Sequence, residues 1–241
     1  WNYLMCGFTI FATRKNFKNP KKFNNKKVLH HRGPDNFCSI KYKNIILNHW
    51  RLSIVDHSKN SNQPLENNKY LFAYNGEIYN YRKLSENINK IIQNSDTQFL
   101  FDLLNKDKNL NKIKKFSGFY SFVYLDKKKN TINFSRDLLG KKPLYYYIDE
   151  NFFILSSEEK GIFNFIKKEV DPESIFEYFF YKHLHYDKTF FKNIKSIAPG
   201  SVNKFDLKNW KFKTNKTWEN FYNESLFKCK DSKNFKRKFI N

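Results

Sequence analysis

Short apolar, β-prone stretches recur along this chain at close intervals: Gly7 to Ala12, Asn44 to Val55, Tyr70 to Tyr74, Gly118 to Leu125, Thr131 to Ser135, Leu144 to Ile148 and Phe152 to Leu155. Strands this short and this frequent predict sheets stacked on one another. Between them lie helical patterns. Leu84, Ile88 and Ile91 with Ile92, then Leu100, Leu103 and Leu104, each fall on one face at helical spacing. Asp171, Pro172 and Glu173 form a helix start, with Asp as the cap and Pro in the first turn, opening Ile175 to Tyr181. The fold class expected is α+β. The stretch from about Lys208 to Asn241 is polar, lysine-rich and poor in pattern, and reads as a linker or the cut edge of another domain. There is no internal repeat.

At 241 residues the chain can bury a substantial core without staples. Cys6, Cys38 and Cys229 are odd in number and lack metal-type spacing, which argues against a disulfide framework and for a reducing compartment, the cytoplasm by default. The apolar run from Trp1 to Ala12 lacks a basic leader and is too short to span a bilayer, so no membrane partner is expected. A formal charge of +22 invites a nucleic-acid reading. The lysines are scattered through every segment, however, and come with abundant Asn, Phe, Ile and Tyr, all residues of AT-rich codons. Coding bias accounts for the charge, and no nucleic-acid partner is expected.

The chain has 7 glycines, and several stand in motif-like contexts. These are Cys6-Gly7, His31-Arg32-Gly33-Pro34-Asp35, Asn75-Gly76-Glu77-Ile78-Tyr79-Asn80, and Gly140-Lys141-Lys142-Pro143-Leu144-Tyr145-Tyr146. Taken alone, the Asn75-Gly76 pair is a turn signal. The only methionine, Met5, directly precedes Cys6, which suggests a working N-terminus at Cys6 with Trp1 to Leu4 as an upstream extension. A thiol on the first residue sits beside a free α-amine that titrates near pH 8, so one chain end would hold both a nucleophile and its base.

In order, the chain carries Cys6-Gly7, the block at 31 to 35, Arg51-Leu52-Ser53-Ile54-Val55-Asp56, Gln63-Pro64, the block at 75 to 80, Ser95-Asp96-Thr97, Arg136-Asp137 with the block at 140 to 146, and Ser157-Glu158. Together these resemble the class II glutamine amidotransferase domain of glutamine-hydrolysing asparagine synthetases. The resemblance implies the N-terminal-nucleophile hydrolase fold, with two stacked antiparallel sheets between helical layers (αββα). The amidotransferase domain is expected over residues 5–207, after an extension at 1–4 and before a linker or truncated synthetase domain at 208–241.

Carried over residue by residue, the resemblance makes Cys6 the nucleophile, with its own α-amine as base and acid. Asn75, through its side-chain amide, and Gly76, through its backbone N–H, match the oxyanion hole. Arg51 matches the residue that binds the α-carboxylate of L-glutamine, Asp96 the one that holds the α-ammonium, and Glu77 lies in the same pocket. The implied reaction is hydrolysis of glutamine to glutamate and ammonia through a thioester, with a synthetase domain or subunit as the partner that uses the ammonia. No Gly-Gly pair and no phosphate loop occur in the sequence, so ATP and Mg²⁺ are expected only on that synthetase part and no cofactor here. A homodimer is left open. Gln98 departs from the family, in which Glu commonly follows Asp-Thr.

Read without the family, Asp96 caps a helix beginning at Thr97, Arg51 is a surface cation and Glu77 serves the turn. Arg32, Asp35, Arg136 and Asp137 read as structural ion pairs or loop supports. His183 and His185 have no third ligand at a suitable spacing, so no metal site is assigned. Two rival functions stand beside the main one: the amidotransferase domain of another synthetase, and a catalytically silent docking or regulatory domain.

Overall fold

The computed structural model describes residues 5–15, 23–53, 62–89, 95–106 and 111–216. Trp1 to Leu4, Ile54 to Asp56, Ile91, Ile92, Trp218 and Cys229 lie outside these residues. The strands are β1 (Gly7–Thr13), β2 (Asn36–Tyr42), β3 (Ile45–Arg51), β4 (Leu65–Glu66), β5 (Tyr70–Ile78), β6 (Gly118–Asp126), β7 (Thr131–Arg136), β8 (Tyr145–Ile148), β9 (Phe152–Ser156), β10 (Lys195–Ser196), β11 (Ser201–Asp206) and β12 (Lys211–Lys216). The helices are α1 (Tyr81–Asn89), α2 (Asp96–Lys106), α3 (Lys160–Phe163) and α4 (Pro172–Tyr181). The strands form two 6-stranded antiparallel sheets, ordered β10-β8-β9-β1-β3-β2 and β12-β11-β7-β6-β5-β4.

Side-chain alternation divides the apolar residues among three layers. Phe8, Ile10 and Ala12 of β1, Leu47 of β3, Leu71 and Ala73 of β5, and Val123 and Leu125 of β6 meet in one buried layer between the sheets. Phe153 of β9 and Phe205 of β11 close that layer from opposite sheets, their rings stacked at 4.1 Å. The intervening positions face outward. Phe72 and Tyr74 of β5, with Tyr120, Phe122 and Tyr124 of β6, pack under α1 and α2 through Leu84, Phe99, Leu100, Leu103 and Leu104. Phe11, Ile46 and Ile154 form the outer layer of the other sheet with Ile162 of α3. Each fully buried Phe, Leu or Ile contributes about 1.5–3 kcal/mol, so the sandwich rests mainly on this alternation.

The helix start expected at Asp171 is present: its carboxylate accepts from Glu173 N and from Ser174 Oγ at 3.3 and 2.6 Å. The expected linker from residue 208 is corrected in its first part. Lys211–Lys216 pairs along the whole of β11, and Phe212 stacks on Phe134 at 5.6 Å. The polar, lysine-rich wording concealed an edge strand, a place where charged side chains are common because one face is solvated.

Register places the chemistry. β1 lies between β3 and β9, with Gly7 opposite Trp50 and Thr9 opposite Ser156. Cys6 therefore leaves the sheet beside the end of β3. Gly33 allows the 31 to 35 block to lie against that end, because a Cβ there would fall 2.4 Å from the carbonyl carbon of Trp50.

Candidate active site

A cleft of about 340 Å³ opens where β1, β3 and β5 end, a volume suited to a small metabolite. Cys6, Arg51, Asn75, Gly76, Glu77 and Asp96 all line it, so the six residues singled out from sequence come together from β3, β5, α2 and the position just before β1.

Cys6 is held from several sides. Its Sγ accepts from Leu52 N at 3.3 Å, and its carbonyl accepts from Arg32 Nε at 3.0 Å. Arg32 is buried and also donates to Glu158 Oε1 at 2.8 Å, while His31 reaches the other oxygen of that carboxylate at 2.9 Å. The neighbouring Ser157 donates its N–H to Phe8 O at 3.0 Å and accepts from Phe8 N on its hydroxyl at 3.1 Å. The 31 to 35 block and Ser157-Glu158 thus form a clasp on the first residues of β1. Burial pushes the Cys6 thiol up from its ordinary pKa, opposed by the Leu52 backbone and by the charges of Arg51, Lys142 and Arg32. At neutral pH the thiol keeps its proton and needs a base to become a nucleophile.

Asn75 and Gly76 lie in β5 opposite Ser121 and Tyr120 of β6. Asn75 is 2% exposed, and its Nδ2 is buried with no hydrogen-bond partner among the described residues. A buried donor without an acceptor costs about 1–3 kcal/mol, and a catalytic role is one of the reasons a fold keeps one. Gly76 has φ +154°, and a Cβ there would lie 2.3 Å from Phe119 O. Only glycine fits this bend, which brings the backbone to the cleft wall.

Arg51 ends β3, buried, with Nη1 2.6 Å from Asn62 Oδ1. Asp96 is the first residue of α2, one position earlier than the helix start expected at Thr97. Its carboxylate accepts from Tyr74 Oη at 2.8 Å and Ile78 N at 3.1 Å, so it is tied to β5 as well as seated at a helix start. Burial raises the Asp96 pKa, and these hydrogen bonds oppose the rise. A carboxylate kept in a desolvated place, with a cation across the cleft, suits an amino acid carrying both charges.

Among the motif residues without an assigned role that line the same cleft are Gln63 and Lys142. Gln63 Oε1 accepts from Tyr74 N at 2.6 Å. Lys142 comes from the loop after β7, where Arg136 and Asp137 bind successive backbone groups of residues 139 to 142. Their sequence blocks signalled them, but only the contact of Lys142 Nζ with Met5 Sδ at 3.1 Å shows which way Lys142 faces. Elsewhere, His183 and His185 lie side by side, the latter paired with Glu177 at 2.7 Å. Among the described residues no group of three His, Cys, Asp or Glu is placed to hold a metal, and no helix is long and apolar enough to cross a membrane.

A family model described as a glutamine amidotransferase domain matches residues 5–218. A Methanocaldococcus jannaschii protein assigned as a glutamine-hydrolysing asparagine synthetase is 34% identical over 218 residues, covering 80% of this chain and 42% of its own length. Asparagine synthetase (glutamine-hydrolysing) 1 of Bacillus subtilis is 30% identical over 213 residues, covering 82% of this chain and 33% of its own. The chain thus spans less than half the length of these relatives. Among solved structures, glutamine phosphoribosylpyrophosphate amidotransferase from B. subtilis, complexed with ADP and GMP, superposes with a TM-score of 0.59 at 16% identity. That match covers 88% of this chain and 49% of the other, and it supports the N-terminal-nucleophile fold of stacked sheets between helices.

Proposed function

Because the chain belongs to the glutamine amidotransferase domain family, we propose that it hydrolyses the side-chain amide of L-glutamine on Cys6. The observation that carries this reading is one cleft holding a buried thiol and an unpartnered buried amide donor, with Arg51 and Asp96 on its walls. Once Met5 and anything ahead of it are removed, the freed α-amine takes the thiol proton and the sulfur attacks the amide carbon. Charge moves to the carbonyl oxygen, where Asn75 Nδ2 and the Gly76 N–H stabilise it, donors that count most when the oxyanion forms. The protonated amine then gives its proton to the leaving nitrogen, the C–N bond breaks and ammonia departs. Water, deprotonated by the same amine, attacks the thioester; glutamate leaves and the thiol is restored.

Arg51 takes the substrate α-carboxylate in this scheme, and Asp96 takes its α-ammonium. Glu77 stands beside them, a further carboxylate on the wall of the same cleft. Requiring both charges favours a free amino acid over a glutamine inside a peptide.

The proposal extends to the use of the ammonia. The relatives named above are glutamine-hydrolysing asparagine synthetases with more than half their length beyond the matched region. In the proposal a synthetase portion, joined or separate, consumes the ammonia to make asparagine from aspartate. ATP and Mg²⁺ are assigned to that portion, since this sequence carries no Gly-Gly pair and no glycine-rich phosphate loop. The test is glutamate release from glutamine by a chain beginning at Cys6, compared with Cys6→Ala. Turnover by the first and none by the second is expected; equal rates would overturn the assignment.

A further inference from the structure

Lys142 has no role in the scheme above, yet it shares the cleft with Cys6. Its backbone is fixed, the N–H donating to Asp137 Oδ2 at 2.9 Å and the carbonyl accepting from Arg136 Nε at 3.0 Å. From there the side chain runs to the N-terminal residues, where Nζ lies 3.1 Å from Met5 Sδ. Standard bond lengths put a methionine sulfur within about 6.5 Å of the next residue's nitrogen, so this ammonium stands within about 9.5 Å of the Cys6 nitrogen.

An α-amine can act as a base only while it is neutral. Near pH 7 an ordinary one is mostly protonated, since it titrates near 7.7–8.0. A like charge close by favours the neutral form. We propose that Lys142 is a positioning residue acting electrostatically, its ammonium keeping the freed α-amine of Cys6 unprotonated so that the amine can accept the thiol proton.

The charged groups around this point are mixed. Arg32 and Arg51 approach Cys6 from the 31 to 35 block and the end of β3. The first is engaged by the Cys6 carbonyl and Glu158, the second by Asn62. Glu77 of β5 and Asp137 at the base of the loop act on Lys142, and Tyr74 and Asp96 line the same cleft. Burial draws the Lys142 pKa down, while Glu77, Cys6 and Asp137 hold it up. The charged end of Lys142 contacts Met5, the residue that must leave.

The inference rests on Cys6 being the N-terminal nucleophile, and the experiment separates the two claims. Chains beginning at Cys6 are prepared as wild type, K142M, K142Q and K142R, with [15N]cysteine, and the α-amine is titrated by its nitrogen chemical shift. The acid limb of kcat/KM for glutamine hydrolysis is followed in parallel. Both the amine pKa and the acid limb should rise by about one unit in K142M and K142Q, the scale for a unit charge at this distance in a partly solvated site. K142R should stay at the wild-type value. An amine pKa unchanged in folded K142M or K142Q overturns the proposal. If the nitrogen titration shifts as expected while the wild type fails to hydrolyse glutamine, the electrostatic role stands and the glutaminase reading falls.

Discussion

Asn75 and Arg51 line the same cleft but should fail differently. Asn75→Ala removes a donor that matters most as the oxyanion develops, so kcat should drop about a hundredfold or more with little change in KM. Arg51→Ala should weaken glutamine binding by roughly 2–5 kcal/mol, the scale for stripping one partner from a buried charge pair. Steady-state kinetics on both variants checks the assignment, and a pure KM effect in Asn75→Ala would contradict it. Asp96 offers a second test. Its folded-state pKa is raised by burial, so the native state holds its proton more tightly than the unfolded chain does. The associated stability is present below the unfolded pKa and is lost as pH rises through the folded one, leaving an ionised, desolvated carboxylate at neutral pH. Asp96→Asn should therefore melt at a higher temperature than wild type at pH 7 while binding glutamine far more weakly. A lower melting temperature would show that the carboxylate stabilises the fold. Chemistry was legible at this scale because Cys6, Asn75 and Asp96 sit in ordered motifs. The facing of Lys142 was not, since it depends on a loop meeting the chain start more than a hundred residues away in sequence.

At the scale of elements, the strand pattern carried most of the information. Leu71, Phe72, Ala73 and Tyr74 read as one apolar run, yet they divide between two layers because both faces of β5 are covered. An unbroken run of this kind predicts a buried strand and says nothing about which face meets which layer. The Asn75-Gly76 pair misleads differently: it has the form of a hairpin turn and instead lies inside the paired length of β5. β12 was hidden because an edge strand with one wet face needs few apolar residues. Phe212 is the exception, packing on Phe134 and on Tyr146 at 5.6 and 5.0 Å. A chain ended at residue 207 should therefore melt clearly below one ended at 218, since it loses the β11 pairing and a half-buried aromatic contact, together worth about 1–3 kcal/mol. Equal melting temperatures would restore a boundary at 207.

For the whole molecule, two sheets and their helical covers exist to bring the ends of β1, β3 and β5 to one point. The layer between the sheets also buries a titratable group. His49 of β3 is 0% exposed, and burial lowers its pKa to about 4, with Nε2 placed 3.2 Å from Tyr74 O. The unfolded chain binds this proton more readily than the native state does, so stability is full above the ordinary histidine pKa and falls as pH drops toward the folded value. The loss should reach about 3 kcal/mol between pH 6.5 and 4. Denaturant titrations across that range should show the slope in wild type and a flatter one in His49→Asn; equal slopes would place the acid sensitivity elsewhere. The proposed catalysis, however, depends on Cys6 standing first in the working chain, where one residue supplies both thiol and amine. The most direct measurement is glutamine hydrolysis by two otherwise identical chains, one beginning at Cys6 and one retaining Met5, with both N-termini verified by intact mass. The chain with the free amine should release glutamate, and the chain that keeps Met5 should be nearly silent although equally folded. Equal rates from the two would contradict the mechanism.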